Sequence, residues 1–385
     1  MQAQVRLNPH RHHPHPQLHF SPAEFIRKNT VLVIAMIAAT LSAFLVPPDA
    51  EYLSYFDFKT LTCLFCTLAV ICALKNIHFF TILARKIVRC AGNTRSAIFA
   101  LVCITFIGSM LIANDMALLT FLPLGYLVLS TTGREKYMAL TFILQNIAAN
   151  LGGMLTPFGN PQNLYLYTKF NIPNGEFMRI MTIPFAVSIV LIFLICLFIP
   201  REPLSVTTEE EKLPIGKTAI YLALFASSIL IIFRVIPYPI GILLTFAVLL
   251  PMDRNALKKV DYPLLLTFVC FFIFAGNMSR IEPVRAVFSA LLEKSTLLTA
   301  VASCQVISNV PSAILLSQFT ENYPALLIGV NIGGAGTLIA SLASLITFRT
   351  YTTHYPEKTR SYIGLFTLLN FGFLAVLTIV SMFLV

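Results

Sequence analysis

The sequence predicts an all-α polytopic membrane protein with two inverted-topology repeats, each containing a re-entrant helical hairpin and a broken transmembrane helix. Of its 385 residues, 57% are hydrophobic and 11% are charged, whereas soluble domains carry about 25% charged residues. The motif Asn-x-Gly-Gly-x-x-Thr occurs at 150–156 and at 331–337, each time after a polar interruption of another apolar stretch. Paired breaks in corresponding halves predict the binding site of a two-repeat transporter. The alternative is a chance recurrence of the Asn-Gly-Gly pattern.

Apolar runs define the predicted crossings, since a bilayer span needs about 20 mainly apolar residues. These runs lie at 31–47, 59–74, 138–168, 181–200, 218–236, 238–252, 261–277, 323–348 and 361–385. The predicted division is a cytoplasmic polar tail (1–28), a first transmembrane half (29–200), a cytoplasmic linker (201–217) and a second transmembrane half (218–385). The broken helices are the runs 138–168 and 323–348, one in each half.

Two segments, 96–130 and 295–320, do not fit a simple crossing because each has a polar interruption near its middle. Two full spans with a turn need over about 40 residues, so we expect re-entrant hairpins here. Irregular backbone at membrane depth is tolerated only where it is buried in protein or lines a wet cavity. The two hairpin tips are therefore predicted site positions.

The net charge of +10 comes from basic residues in short loops between spans, the pattern of the positive-inside rule. We therefore expect no nucleic-acid partner. Basic clusters flank the first hairpin on both sides and predict a cytoplasmic base, with the N-terminus also cytoplasmic and the chain in the cell (inner) membrane. Five predicted crossings separate the hairpins. Because five is odd, the second hairpin is predicted to enter from the opposite face.

Amphipathic stretches precede both hairpins. In the first, Phe79, Phe80, Leu83 and Ile87 share an apolar side opposite lysine and arginine residues, which suits a helix lying in the membrane interface. The second stretch runs over 281–294. A peripheral anchoring role and a packing role that positions the hairpin both remain open.

Two further patterns point to metal or redox chemistry. The histidines between His10 and His19 suit either a metal-binding tract or a plain polar tail. Cys63 and Cys66 form a C-x-x-C inside a predicted span, and we interpret them as packing residues. We expect no cofactor and no permanently bound metal.

The first motif leads into a stretch with prolines and glycines, from Thr156 through Asn160 to Asn163, that cannot sustain a regular helix. Two half-helices separated by an unwound loop are predicted. Half-helix N-termini suit anions, and unwound carbonyls with Asn and Thr oxygens suit sodium. A helix kinked by small packing residues is the alternative.

Asp115 is a carboxylate predicted to lie deep in the membrane, where an ionisable residue is by default a functional hypothesis. Coordination of sodium, carriage of a proton and a structural role are the options. Val310 occupies the equivalent position in the second hairpin, so the two tips are not chemically equivalent. We expect the coupling-ion chemistry in the first half.

The tips Asn114-Asp115-Met116 and Ser308-Asn309-Val310, the run from Thr156 to Asn163 and the two motifs resemble the ion transporter superfamily, in its citrate-transporter-like branch of divalent-anion:sodium symporters and arsenite permeases. The resemblance covers the chain from about residue 30. It implies two inverted repeats, a moving transport domain with an elevator-like motion and a homodimer. It also implies that the tips and unwound loops hold substrate and sodium.

The resulting hypothesis is an ion-coupled secondary transporter of a small carboxylate or inorganic oxyanion. An arsenite-type efflux permease or a sodium/proton antiporter is the alternative. The predicted site residues are Asn114, Asp115, Ser308 and Asn309 at the tips and Asn150, Gly152, Gly153, Thr156, Asn160, Asn163, Asn331, Gly333, Gly334 and Thr337 in the breaks. Sodium is predicted near Asn114, Asp115 and Asn309, with protons as the other coupling ion. We expect no enzyme, because no catalytic pair at membrane depth is evident. A passive channel remains open.

Overall fold

The computed structural model describes residues 26, 29–204 and 213–385. Within these residues every extended regular element is a helix, and β-type pairing is limited to one bridge between Asn93 and Pro203. The predicted all-α polytopic class is confirmed. The histidine-rich tract and part of the predicted linker lie outside the described residues.

The first half comprises eight described helices, with short 3-10 turns between some of them. They are α1 (Thr30–Leu45), α2 (Phe58–Asn76), α3 (Phe79–Arg89), α4 (Thr94–Ile112), α5 (Asn114–Thr131), α6 (Met138–Gly152), α7 (Pro161–Lys169) and α8 (Asn174–Leu197). The helix predicted over 138–168 is interrupted between α6 and α7.

The second half comprises ten described helices. They are α9 (Ile215–Ile232), α10 (Tyr238–Met252), α11 (Arg254–Lys258), α12 (Tyr262–Ser279), α13 (Glu282–Lys294), α14 (Thr296–Ile307), α15 (Asn309–Leu316), α16 (Tyr323–Ile332), α17 (Leu342–His354) and α18 (Thr359–Ser381). The helix predicted over 323–348 is interrupted between α16 and α17, and α17 continues six residues beyond the predicted end.

Seven helical segments of the described chain are long and apolar enough to cross a membrane. They are Phe58–Asn76, Thr94–Ile112, Glu135–Leu155, Asn174–Leu197, Ile215–Ile232, Tyr262–Ser279 and Pro356–Ser381. One of them is α4, the first helix of the first hairpin. At about 1.5 Å per residue its 19 residues extend about 28 Å, close to the thickness of the hydrocarbon core. The helices of the first hairpin, with 19 and 18 residues, are longer than those of the second, with 12 and 8 residues.

Short polar side chains set the starts of several helices. Asn93 and Ser96 form a capping box at α4, which satisfies two N–H groups that have no partner within the helix. Asp261 Oδ1 accepts from the N–H of Leu264 at 3.0 Å at the start of α12. Local residue chemistry therefore sets the helix boundaries at these positions.

Each hairpin folds back on itself. In hairpin 1 (α4 and α5) a Cβ on Gly108 would lie 2.4 Å from the ring of Phe121. In hairpin 2 (α14 and α15) the hydroxyls of Ser303 and Ser312 are 2.8 Å apart. In each pair a residue before the connecting residue contacts one after it, which shows that the paired helices fold back on each other and run antiparallel.

The hairpins pack against the broken helices in a reciprocal way. The first helix of each hairpin packs against the helix before the break in its own half: α4 on α6, and α14 on α16. The second helix packs against the helix after the break of the other half: α5 on α17, and α15 on α7. The tips and breaks thereby meet in one buried region between the halves.

The segment after α8 holds both ends of hairpin 1 together. The Glu202 carbonyl accepts from the N–H of Thr94 at 2.8 Å, and its carboxylate pairs with Arg134 at 2.5 Å and Lys136 at 2.7 Å. Tyr137 donates to the same carboxylate at 2.9 Å. The hydrogen bonds from Lys136 and Tyr137 hold the pKa of the Glu202 carboxyl below its usual value.

The predicted amphipathic stretches form α3 and α13. In α3 the residues that face inward are Phe80, Ala84 and Val88, while Leu83 and Ile87 from the predicted apolar side are exposed. Leu83 and Ile87 thus form an exposed apolar pair beside basic residues, as in helices that lie in the membrane interface. Its position beside hairpin 1 also matches the packing role.

Candidate functional site

Each hairpin turns at one non-glycine residue with a positive φ angle. Ala113 (φ 65°, ψ 153°) separates α4 from α5, and Ser308 (φ 75°, ψ 160°) separates α14 from α15. Holding a residue with a Cβ in this region costs about 1–3 kcal/mol. Both tips are therefore strained, and the surrounding packing must offset that cost.

The residue after each tip is an asparagine that begins the second helix. Asn114 Oδ1 accepts from the N–H of Asp115, and Asn309 Oδ1 accepts from the N–H of Val310, both at 2.9 Å. Both asparagines are buried. The tips therefore share one geometry, but the next residue is a carboxylate in hairpin 1 and an apolar side chain in hairpin 2.

The threonine of each motif binds the hairpin of its own half. Thr156 Oγ1 donates to the carbonyl of Met110 at 2.8 Å, and Thr337 Oγ1 donates to the carbonyl of Gln305 at 3.1 Å. Met110 and Gln305 each lie three residues before their tip. The two contacts are therefore equivalent in the two halves.

The first glycine of each motif allows close helix packing. A Cβ on Gly152 would lie 2.4 Å from the carbonyl oxygen of Phe106, and one on Gly333 would lie 2.9 Å from Sγ of Cys304. Both distances are shorter than van der Waals contact. The glycines are therefore required by the approach of α6 to α4 and of α16 to α14.

The second glycine of each motif lies against an asparagine. A Cβ on Gly153 would lie 2.5 Å from Asn160 Oδ1, and one on Gly334 would lie 3.1 Å from Asn309 Nδ2. Ser308 Oγ donates to the carbonyl of Ala340 at 3.3 Å. Hairpin 2 is thus anchored to the second break through its tip.

Buried amides connect the first tip with both breaks. Asn114 Nδ2 donates to Asn150 Oδ1 at 3.1 Å. Asn160 Nδ2 donates to the carbonyl of Asn150 and to Asn331 Oδ1, both at 3.3 Å, and Asn331 Nδ2 donates to Asn163 Oδ1 at 2.6 Å. A buried amide left unpaired costs about 1–3 kcal/mol, so this network specifies how the two halves join.

The broken helices run antiparallel to one another. Asn146, before the first break, donates to Ser344, after the second break, at 3.3 Å. Asn331, before the second break, contacts Asn163, after the first break. The half-helix before each break therefore lies beside the half-helix after the other break.

Side-chain amides satisfy the carbonyls of the unwound segments. Asn163 Nδ2 donates to the carbonyls of Gly153 (3.1 Å), Met154 (3.3 Å) and Thr156 (3.2 Å). Gln305 Nε2 does the same in the second half, at 2.8 Å from the carbonyl of Gly333. These carbonyls were predicted as sodium ligands. Each accepts a hydrogen bond in this structure and has a second lone pair, so sodium binding at these oxygens stays a prediction.

A small cavity of about 60 Å³ lies against the tip of hairpin 1. Its polar lining is Asp115, Asp261, Asn160 and Thr67, and its apolar lining comes mainly from α2, α5, α7 and α17. Asp115 Oδ1 is buried and has no hydrogen-bond partner. A volume of this size holds a cation or one or two waters. We call it the tip cavity.

The predicted sodium position near Asn114, Asp115 and Asn309 is only partly matched by this geometry. Asp115 lines the tip cavity, whereas Asn114 and Asn309 do not. Across the described residues no three His, Cys, Asp or Glu side chains group as metal ligands. Sodium or proton binding at Asp115 stays a prediction.

Sequence reasoning missed Asp261, Asn146 and Gln305. Asp261 is the first residue of a predicted span. It caps α12, and nothing in that role indicates that the residue also lines the tip cavity. Asn146 lies four residues before Asn150, and this helical spacing of two asparagines is a signal that could have found it. Gln305 carries no sequence signal beyond its place three residues before a tip.

The paired hairpins, the antiparallel broken helices and the buried polar network between them define the class as a polytopic membrane transporter. A family model described as citrate transporter matches residues 24–325. An uncharacterised transporter of Methanocaldococcus jannaschii is 33% identical over 298 residues, 76% of this chain and 81% of that protein. The inner membrane protein YbiR of Escherichia coli is 30% identical over 281 residues, 70% of this chain and 74% of that protein. The chain belongs to the citrate transporter family.

Proposed function

We propose that this membrane protein is an ion-coupled secondary active transporter of a small anion, a carboxylate or an inorganic oxyanion, that works by an elevator-like alternating-access motion. The observation that carries the proposal is the unpartnered Asp115 oxygen at a strained hairpin tip, beside the tip cavity. A buried carboxylate oxygen without a donor is costly unless a proton or a cation occupies it.

The tip cavity suits the coupling ion better than the substrate. Its oxygen-bearing lining from Asp115, Asp261, Asn160 and Thr67 is the kind that hard cations prefer. A cavity of about 60 Å³ is far smaller than the roughly 300–1,000 Å³ of small-molecule sites. Sodium and protons both fit this chemistry.

The contacts also support inverted repeats. The threonine contacts are equivalent in the two halves, and the broken helices lie antiparallel, which is the relation that an axis in the membrane plane produces. Re-entry is best supported for hairpin 2, whose helices have 12 and 8 residues. At about 1.5 Å per residue they extend about 18 and 12 Å, well short of the hydrocarbon core.

A sodium/proton antiporter is the second candidate. Two carboxylates, Asp115 and Asp261, line the tip cavity, and carboxylates can bind either a sodium ion or a proton. An arsenite-type permease, the homodimer and a cytoplasmic N-terminus in the cell membrane stay predictions from the sequence.

The experiment is flux into proteoliposomes with citrate, succinate, sulfate, phosphate and arsenite as probes, with sodium and pH gradients imposed separately. We expect uphill anion accumulation with one gradient. Asp115→Asn should lower that accumulation at least tenfold while the protein stays folded. Asp57→Asn is the matched control, because asparagine caps α2 as well as aspartate does. Unchanged gradient-driven flux in Asp115→Asn would remove Asp115 from the mechanism, and cation exchange without any anion would select the antiporter.

A further inference from the structure

The two halves of the molecule place a break beside a hairpin tip in the same way. The N–H of Gly159 bonds to the carbonyl of Thr156 in the first break, and the N–H of Ala340 bonds to the carbonyl of Thr337 in the second, both at 3.2 Å. Each of these threonines also binds its own hairpin three residues before the tip. The carbonyls of Gly159 and Ala340 are therefore corresponding groups, and their partners can be compared directly.

In the second half the tip bonds directly to the break. The Ala340 carbonyl accepts from the N–H of Asn309 at 3.0 Å and from Oγ of Ser308 at 3.3 Å. These two bonds use both lone pairs of the carbonyl oxygen. Asn309 Oδ1 is occupied as well, because it accepts from the N–H of Val310. We call the two bonds to Ala340 the tip 2 clasp.

The first half lacks the corresponding bond. The N–H of Asn114 makes no hydrogen bond with the Gly159 carbonyl, and the tip cavity lies against the tip and the break instead. Its lining includes Ala113 and Asp115 from the tip and Asn160 from the break. A cavity in the first half thus corresponds to a direct protein contact in the second.

A helix cap differs between the halves in the same direction. Ser341 Oγ caps α17 by accepting from the N–H of Ser344 at 3.2 Å. Asn160 holds the corresponding position before α7, but its side chain does not cap the helix. Its Oδ1 has no hydrogen-bond partner, although the residue is only 1% exposed. This buried oxygen lacks the helix bond that its counterpart makes.

Asp115 brings a second unpartnered oxygen to the same cavity. Its Oδ1 is buried and accepts no hydrogen bond, whereas Val310 has no polar side-chain atom at the equivalent place. Within residues 305–316 and 333–341, no buried side-chain oxygen or nitrogen lacks a partner. A cation can satisfy both free oxygens of the first half, and the tip of hairpin 2 has no such oxygen to offer.

The two free oxygens favour sodium over a proton. Carboxylate and amide oxygens are both ligands of hard cations, and the cavity of about 60 Å³ has room for one such ion. A proton bound to Asp115 would neutralise that carboxylate, but the amide of Asn160 does not titrate in the physiological range.

We propose that the chain binds a single coupling cation, a sodium ion held by Asp115 and Asn160 in the tip cavity, and that the tip 2 clasp replaces a second ion. The inference rests on the proposed function, because it identifies and counts the coupling ion of that transporter. Removal of sodium would leave two buried oxygens unsatisfied at the first tip, whereas the clasp holds the second tip without any ion.

The test measures equilibrium binding of radioactive sodium to the purified chain in detergent, with choline replacing sodium at constant ionic strength. We expect saturation at one sodium ion per chain with a Hill coefficient of one. Asp115→Asn should weaken binding about thirtyfold or more, because it removes a desolvated charge partner.

An exchange of the two capping residues separates the halves. Asn160→Ser gives the first half the capping residue of the second and should weaken sodium binding about fivefold, the effect of one lost neutral ligand. The reverse exchange, Ser341→Asn, is the matched control and should leave sodium binding unchanged, because asparagine also caps a helix. This pair keeps the test decisive if Asp115→Asn does not fold.

Thermal unfolding, followed by labelling of the buried cysteines, tests the clasp. The unfolding midpoint of the unchanged chain should rise with sodium, and that rise should disappear in Asp115→Asn. Ser308→Ala removes one bond of the clasp and should lower the midpoint by the same amount with and without sodium.

Two bound sodium ions per chain, no bound sodium, or a sodium response that disappears in Ser308→Ala would each overturn the inference. Sodium binding requires no transport, so the two proposals fail separately. One bound sodium ion without gradient-driven flux refutes the proposed function alone. Proton-driven anion flux without bound sodium refutes the inference alone.

Discussion

Replacing Ala113 with glycine tests whether the tip of hairpin 1 is strained. Ala113 has φ 65° and ψ 153°, a conformation that costs a residue with a Cβ about 1–3 kcal/mol. Glycine adopts it without steric conflict, but it gains freedom in the unfolded chain worth about 0.5–1 kcal/mol. The balance predicts that Ala113→Gly stabilises the protein, by up to about 2.5 kcal/mol.

The control is Ala100→Gly, in the interior of α4. There the backbone is helical, so glycine should destabilise by about 1 kcal/mol. The alanine-to-glycine substitution is therefore expected to stabilise the protein at Ala113 and to destabilise it at Ala100, thirteen residues earlier. Ser308→Gly is a less direct test, because it also removes the hydrogen bond from Ser308 to the Ala340 carbonyl.

The assay is thermal unfolding in detergent followed with a fluorogenic maleimide. The chain has no tryptophan, but Cys63, Cys66 and Cys304 are free and buried, so their labelling reports unfolding. The midpoint should rise for Ala113→Gly and fall for Ala100→Gly. A fall of equal size in both variants would refute the strain at the tip.

Three further predictions concern packing, the amide network and pH. Gly152→Ala should lower the unfolding midpoint by the equivalent of about 1–3 kcal/mol because its Cβ meets a carbonyl at 2.4 Å, while Gly175→Ala, with open space around it, should not. Asn331→Leu should cost about 2–3 kcal/mol in the same assay, since it leaves Asn163 Oδ1 unpaired; an unchanged midpoint would contradict the network. Glu202 has a lowered pKa, so its contribution is present above about pH 4.5 and is lost as pH falls through the lower folded value. Glu202→Gln should abolish that part of the acid dependence of the midpoint.

The breaks and tips were accessible to sequence reasoning because their causes are local. Glycine and proline act on their own few residues, which is why α6 ends at Gly152 and α7 begins at Pro161. The start of hairpin 1 differs from the prediction by two residues, because the capping box formed by Asn93 and Ser96 starts α4 at Thr94.

The hydrogen-bond partners of the buried polar side chains were harder to predict from the sequence. Asn160 and Asn163 were predicted to offer side-chain oxygens to sodium, which stays a prediction. Asn163 Oδ1 accepts a hydrogen bond from Asn331 of the other half, whereas Asn160 Oδ1 has no hydrogen-bond partner. Residue type shows that an amide is present, whereas its partner depends on which distant segment packs against it.

The sequence by itself determined that this is an all-α polytopic membrane protein with paired hairpins and paired breaks, because hydrophobicity, charge placement and glycine or proline chemistry act over short stretches. Only the tertiary structure decided that Asp261 joins Asp115 on the tip cavity. The reason is physical: cavities form where helices from distant parts of the chain pack imperfectly. Their lining is therefore a property of the packed helices together.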